Sequence, residues 1–283
     1  MCPTPPHRSV SAITAVTRLA GVWLIVVVAL VLSPGAAVAG AVVDLSFEGN
    51  LLDSSGNGNN AAVLTGSPGY SNNVPVSVVP GTGQPNTQSL SLGTGASIAV
   101  SSAFPFDYLP DATLEFWVNP NSVSSEQDLF WTTTSGGDTN RFNIGIGAGG
   151  GVFMDYREPG GTDHSLVSGG SVSANQWTFV AIVKSGNTYT LYVNDVDVSQ
   201  VTDSSPTLPT STGWTINGRA DEDGTSCCQF SGLLDEVAIA DQALAPSQFE
   251  DVPEPGTLLL TISALGGLFA ARRRTGGANR KTS

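Results

Sequence analysis

The sequence predicts an all-β fold, two antiparallel sheets packed face to face, with an apolar helix at either end of the chain. Three observations predict it. Between residues 41 and 250 short alternating apolar runs recur between turn residues, no helical stripe is sustained beyond a turn at Ala245 to Phe249, and 33 glycines with 17 prolines supply many tight turns. The two ends differ from this body in being apolar, free of acids and flanked by arginine.

Within the body, LEFWVNP (Leu114 to Pro120) alternates Leu114, Phe116 and Val118 with Glu115, Trp117 and Asn119, the pattern of a strand with one buried face. WTFVAIVKSGNTYTLYVNDVDV (Trp177 to Val198) reads as a strand apolar on both faces, a Ser-Gly-Asn turn, and a second strand entering another turn at Asn194-Asp195. That is a central hairpin. No repeat interrupts the body, and the glycine-rich stretch Gly145 to Gly151 lies between apolar residues, so residues 41–250 read as one domain.

Charge divides the chain. All 24 acids lie between Asp44 and Glu254, where only Arg141, Arg157, Lys184 and Arg219 are basic, leaving −20 in the middle and +7 at the ends. Such a body repels nucleic acid phosphates and anionic lipid, which excludes a nucleic acid partner, and it attracts divalent cations.

The front reads as a signal peptide over residues 1–39. His7, Arg8 and Arg18 precede the apolar run Leu19 to Leu32, Ser33-Pro34-Gly35 end it, and Ala37-Val38-Ala39 offers signal peptidase a cleavage site after Ala39. The alternative is an uncleaved anchor helix. Beyond Cys2, the chain has only the adjacent Cys227 and Cys228, which form either a vicinal disulfide or two thiols, and no Cys-x-x-Cys for zinc or redox chemistry.

At the other end VPEPGTLLLTISALGGLFAARRR (Val252 to Arg274) combines a linker (251–255), an uncharged run (256–271) and a basic tail (272–283). The run spans about 24 Å as a helix, short against a hydrocarbon core of about 30 Å. Its arginines hold the far end in the cytoplasm, which leaves the acidic body outside. This order resembles the PEP-CTERM sorting tail, with Pro253, Glu254 and Pro255 in the place of the family's motif. The resemblance implies an exosortase-type processing enzyme as partner, a transmembrane helix used during sorting, and an envelope or extracellular destination. An ordinary tail anchor is the alternative.

Four segments of the body, Asp44 to Ala61, SLSLGTGASIAV with ATLEFWVNP, Trp177 to Val198, and Ile216 to Phe249, together resemble the laminin-G-like jelly rolls of the concanavalin A-like superfamily. Glu48-Gly49 stands where that family usually has Asp-Gly, and Asn194-Asp195 where it has Asp-Gly. The resemblance implies a jelly-roll sandwich that binds glycans or proteins, with first and last strands side by side.

In LLDEVAIA (Leu233 to Ala240) the period of two puts Asp235 on the face of Leu233, Val237 and Ile239, where a carboxylate needs a partner or a metal. Adjacent first and last strands bring it near Glu48 and the Asp53 loop. A structural Ca²⁺ held by Glu48, Asp235, Asn50 and Asp53 is therefore expected, the alternative being backbone N–H donors to Asp235. The acidic run Asp221-Glu222-Asp223-Gly224 is a weaker calcium candidate, without an EF-hand framework.

Catalytic residues are harder to find. Asp235 and Glu236, as strand neighbours, point to opposite faces, whereas a retaining glycosidase needs two carboxyls about 5–5.5 Å apart. His164 reads as a surface residue in a polar loop, and no Gly-x-Ser-x-Gly elbow is present. Trp131, Tyr156 and Trp214 are the aromatics to test for stacking on sugars, although the alternation of Trp214 with Ile216 favours the core. The chain thus reads as a non-catalytic adhesion module associated with extracellular polysaccharide or a surface glycan or protein. The alternatives are a glycan-cleaving enzyme and a structural coat protein.

Overall fold

A computed structural model describes residues 40–249 except 81, 134–139, 205 and 219–227. The signal segment, the acidic run 221–224, Cys227 and the whole sorting tail lie outside the described residues. The chain divides after Ala36, and everything below concerns the second unit.

That unit is a sandwich of two antiparallel sheets. Its strands are β1 (Ala41–Leu45), β2 (Ala61–Thr65), β3 (Gly69–Ser71), β4 (Ser89–Leu92), β5 (Ser97–Val100), β6 (Asp111–Pro120), β7 (Gln127–Thr133) and β8 (Arg141–Ile146). They continue as β9 (Val152–Arg157), β10 (Asp163–Gly169), β11 (Thr178–Ser185), β12 (Thr188–Val193), β13 (Val196–Thr202), β14 (Gly213–Ile216) and β15 (Gly232–Ala240). The eight-stranded sheet runs β13-β12-β11-β6-β15-β4-β3 with β1 also on β15, and the seven-stranded sheet runs β10-β9-β8-β7-β14-β5-β2. First and last strands do lie side by side, Asp44 opposite Ala238 and Leu45 opposite Val237.

The hairpin read from the sequence forms as β11 and β12, joined through Gly186 at φ 57°, and β12 passes to β13 through Asn194 and Asp195 at φ 47° and 64°. Two consecutive left-handed residues twist a hairpin in the same hand as its strands, which is why Asn-Asp suits the position. Val180 and Ile182 enter the core between the sheets with Leu114, Phe116, Val118 and Leu191, and meet Phe130, Phe142, Ile144, Met154 and Ile216 from the other sheet.

β6 departs from its half-buried pattern, because Glu115 and Asn119 are buried as well. A second apolar cluster covers the outside of this sheet: Phe179, Ala181, Val183 and Ala240 pack with Leu244 and Phe249 from the segment after β15, beside Trp117 and Tyr192. Thr113 anchors that segment, its hydroxyl donating to the Gln242 carbonyl at 2.7 Å and accepting from the Leu244 N–H at 2.9 Å.

Candidate functional site

β15 carries the feature on which the site turns. Asp235 faces Trp117 of β6, yet Ala238 faces Glu115, so two residues of β15 stand against Phe116 alone. This is a β-bulge, and Glu236 adopts φ 48° within it. The uniform alternation expected for the strand therefore fails. Leu234, Val237 and Ile239 enter the core, whereas Asp235 keeps the parity of Leu233, which stays out of it.

The same bulge overturns the expectation that Asp235 and Glu236 diverge. Both reach one amide: Asn86 Nδ2 donates to Asp235 Oδ2 at 3.0 Å and to Glu236 Oε1 at 3.0 Å. Asp235 Oδ1 also accepts the Glu236 N–H at 3.1 Å. Asp235 is 0% exposed and Glu236 2%. Burial first, and the nearby Glu48 charge, outweigh these hydrogen bonds and push the Asp235 carboxyl up to about 7. A buried carboxylate so weakly compensated invites a proton or a cation.

Glu48 holds the next two residues of the same segment. Its Oε1 accepts the Thr87 N–H at 2.8 Å and the Gln88 N–H at 3.0 Å, while Oε2 accepts the Thr87 hydroxyl at 2.6 Å. Burial acts to raise the Glu48 pKa, but these bonds outweigh it and leave the group below its ordinary value. Residues 86–88 are thus gripped by three carboxylates, two of them on β15. Asn86 had no signal in the sequence, and Glu236 was read onto the opposite face, since neither a bulge nor its partner amide follows from local alternation.

Asn50 and Asp53, the other two expected calcium ligands, serve local turns instead. Asn50 Oδ1 accepts the Leu52 N–H at 2.9 Å; Asp53 accepts the N–H groups of Asp44, Ser55 and Asn59 at 2.9, 3.0 and 2.8 Å. Among the described residues no group of three or more His, Cys, Asp or Glu side chains is arranged to hold a metal ion. Among the described residues the buried Oδ1 of Asn86 accepts no hydrogen bond, although its amide nitrogen lies between two carboxylates.

Two of the three expected stacking aromatics belong to the core. Trp214 is 0% exposed against Phe104 and Phe130, and Tyr156, also 0% exposed, packs on Phe142 and donates its hydroxyl to Asp203 at 2.6 Å. Neither ring face can meet a sugar. Trp131 is on the outward side of its sheet, 2% exposed, with the Arg141 guanidinium 4.4 Å above its ring. His164 is not a plain surface residue: it lies on β10, half-buried and stacked on Tyr156 at 4.4 Å, with Nδ1 3.4 Å from Asp203 and Nε2 3.7 Å from Glu158. Cys228 is half-buried, and its carbonyl accepts the Asp128 N–H at 2.6 Å.

This two-sheet sandwich, with its last strand between β6 and the first, is the architecture of a jelly-roll lectin-like domain. The chain belongs to the concanavalin A-like lectin/glucanases superfamily, whose laminin-G-type model matches residues 92–249. The PEP-CTERM protein-sorting motif matches residues 251–274 and marks the chain for export and sorting to the cell envelope. No curated protein matches the sequence.

Among solved structures, the chain is similar to domain 4 of AbnA, a GH43 extracellular arabinanase from Geobacillus stearothermophilus, in complex with arabinotriose. There the identity is 18%, the coverage 75% of this chain and 97% of that one, and the TM-score 0.53. It is also similar to the binding domain of botulinum neurotoxin serotype C1 (15% identity, 75% of this chain and 51% of that one, TM-score 0.56). A third is the binding domain of botulinum neurotoxin DC in complex with SialylT (14%, 76% and 51%, TM-score 0.55). The chain spans about half the length of these toxin domains. At such identities the likeness establishes the fold. Among the described residues no helix is long and apolar enough to cross a membrane.

Proposed function

We propose that the chain is an exported, non-catalytic module of the bacterial envelope that binds a glycan of the extracellular polysaccharide, delivered by signal peptidase at its front and an exosortase-type enzyme at its tail. The observation that carries this reading is the state of its acid pair. Asp235 and Glu236 come together on one amide, yet both are buried and committed to holding Asn86, so the carboxylates most able to act as a pair serve the fold. The superfamily and the sorting motif support the rest, and the arabinotriose complex of a similar domain supports a sugar as ligand.

The experiment joins two assays. The purified protein should be retained by immobilised polysaccharide from the producing cell and should release no reducing ends from it. Passage through every such column would defeat the glycan reading. Reducing-end release that survives Asp235→Ala and Glu236→Ala would make the protein an enzyme whose acids lie elsewhere.

A structural Ca²⁺ belongs to the same proposal, on a narrower ligand set than the sequence offered. Glu48, Asp235 and the Oδ1 of Asn86, which accepts no hydrogen bond among the described residues, are the oxygens that would hold it, and the ion would supply charge compensation for a buried carboxylate and no chemistry. Its test is the pH profile developed in the Discussion.

A further inference from the structure

β1 is held in place by side chains as well as by a strand. β15 pairs with it along one edge, and the loop from Asp53 to Asn59 bonds to its backbone groups. Asp53 Oδ1 accepts the Asp44 N–H at 2.9 Å, and Ser54 donates its N–H and its hydroxyl to the Asp44 carbonyl at 2.8 and 3.1 Å. Ser55 Oγ and Asn59 Nδ2 donate to the Val42 carbonyl at 3.3 and 2.6 Å. Asn57 completes the clasp, its Nδ2 donating to the Ala41 carbonyl at 3.1 Å and to the Val42 carbonyl at 3.4 Å. These donors secure a five-residue strand that sends Val43 and Leu45 into the core.

Asn57 is also the one asparagine of the clasp that precedes a glycine. The chain has two Asn-Gly pairs, Asn57-Gly58 and Asn217-Gly218. In such a pair the glycine nitrogen can approach the side-chain amide before it, because no Cβ stands in the way. The fold treats the two differently. Asn57 and Gly58 are exposed, a Cβ on Gly58 would meet nothing within 4 Å, and the Gly58 N–H donates no hydrogen bond among the described residues. Asn217 is 0% exposed and fully engaged: its N–H donates to the Leu129 carbonyl at 2.9 Å, its Oδ1 accepts the Phe230 N–H at 2.6 Å, and its Nδ2 donates to the Gly93 and Ala96 carbonyls at 3.3 and 2.9 Å. Beside Gly218, Ser97 lies 3.0 Å from where a Cβ would stand.

We infer that Asn57-Gly58 is a modification site at which the protein deamidates as it ages, and that the conversion opens the clasp on β1. The Gly58 nitrogen attacks Asn57 Cγ; the N–Cγ bond forms, the Cγ–Nδ2 bond breaks, and Nδ2 leaves as ammonia with the proton from Gly58. Water then opens the cyclic imide, giving aspartate or, with one further carbon in the main chain, isoaspartate. The step consumes only water. Either product replaces a donor by a carboxylate, so that acceptor oxygens stand against the Ala41 and Val42 carbonyls that Asn57 had satisfied. Asp44 and Asp53 already place two acids on the clasp, and a third adds like charge. The chemistry is independent of what the module binds.

The test follows the full chain through incubation at neutral pH, with peptide mass spectrometry reading the replacement of an amide by an acid at both asparagines. Asn57 converts, and Asn217 does so at least about tenfold more slowly, because its conversion waits on an opening of the core for which about 1.4 kcal/mol already gives that factor. In urea the two convert at similar rates. The converted chain, separated by its added negative charge, exchanges the Asp44 amide faster and melts at a lower temperature, and Asn57→Asp shows both changes without ageing. Equal rates at the two asparagines in the folded chain, or an Asn57 that converts only in urea, overturns the site. Conversion that leaves Asp44 exchange unchanged, in the aged chain and in Asn57→Asp alike, overturns the opening of the clasp.

Discussion

Raising the pH should destabilise this protein, and Asp235 sets the size of the effect. Its carboxyl is pushed from 3.8 up to about 7 by burial. Between those values the folded chain keeps a proton on Asp235 that the unfolded chain releases, so this group's contribution to stability is greatest below about pH 4, falls as pH rises, and has lost the full amount above about pH 7. At about 1.4 kcal/mol per unit, roughly three units amount to about 4 kcal/mol. Asp44, Asp107 and Asp155 are also raised, by burial foremost, and tilt the curve the same way. Comparison with Asp235→Asn removes them, because they act in both proteins.

Urea denaturation in EDTA from pH 4 to pH 8 is the assay. At pH 4 the variant should be less stable by about 1–3 kcal/mol, because its amide nitrogen replaces the oxygen that accepts from Asn86. By pH 8 that gap should have closed or reversed, its change across the range approaching 4 kcal/mol. Millimolar Ca²⁺ should then stabilise the wild-type protein more at pH 8 than at pH 4, and leave Asp235→Asn nearly unaffected. Parallel curves for the two proteins would refute the buried-carboxyl argument. A calcium-independent midpoint at pH 8 would remove the ion and leave the proton as the only compensation.

Two further outcomes follow from the packing. Trp214→Ala should cost about 3–5 kcal/mol in chemical denaturation, because the ring is enclosed by Phe104 and Phe130; retained stability with lost glycan binding would return it to the role of a platform. Asp195→Gly, at φ 64°, should hold or raise the melting temperature, whereas Asp195→Val should lower stability by about 1–2 kcal/mol; equal melting of the two would contradict the left-handed turn.

Where local pattern and tertiary demand agree, the sequence is informative. The hairpin of β11 and β12 was legible because a doubly apolar strand, a Gly-Asn turn and an Asn-Asp turn all point to the same local geometry. β6 was legible as a strand but not as one buried on both faces, since its outer cover comes from Leu244 and Phe249, more than a hundred residues away in the chain. The acid site failed at one residue. Period-two reasoning assumes a uniform pleat, and the extra residue at Glu236 reverses the parity of everything before it relative to everything after it. Asn86 was illegible because an isolated asparagine in a loop carries no periodicity, and only the closed sandwich brings it to β15. Trp214 was legible as core from its alternation with Ile216, whereas Trp131, beside the core residue Phe130 on β7, takes the opposite parity and faces outward.

The central claim is that a calcium-compatible sandwich works outside the cytoplasm after both of its ends have been processed. Mass spectrometry of the protein recovered from fractionated cells tests it most directly. The account predicts a chain in the envelope or extracellular fraction that begins at Gly40 and ends near Pro253-Glu254-Pro255. Recovery of the intact 283-residue chain from the cytosol would contradict it.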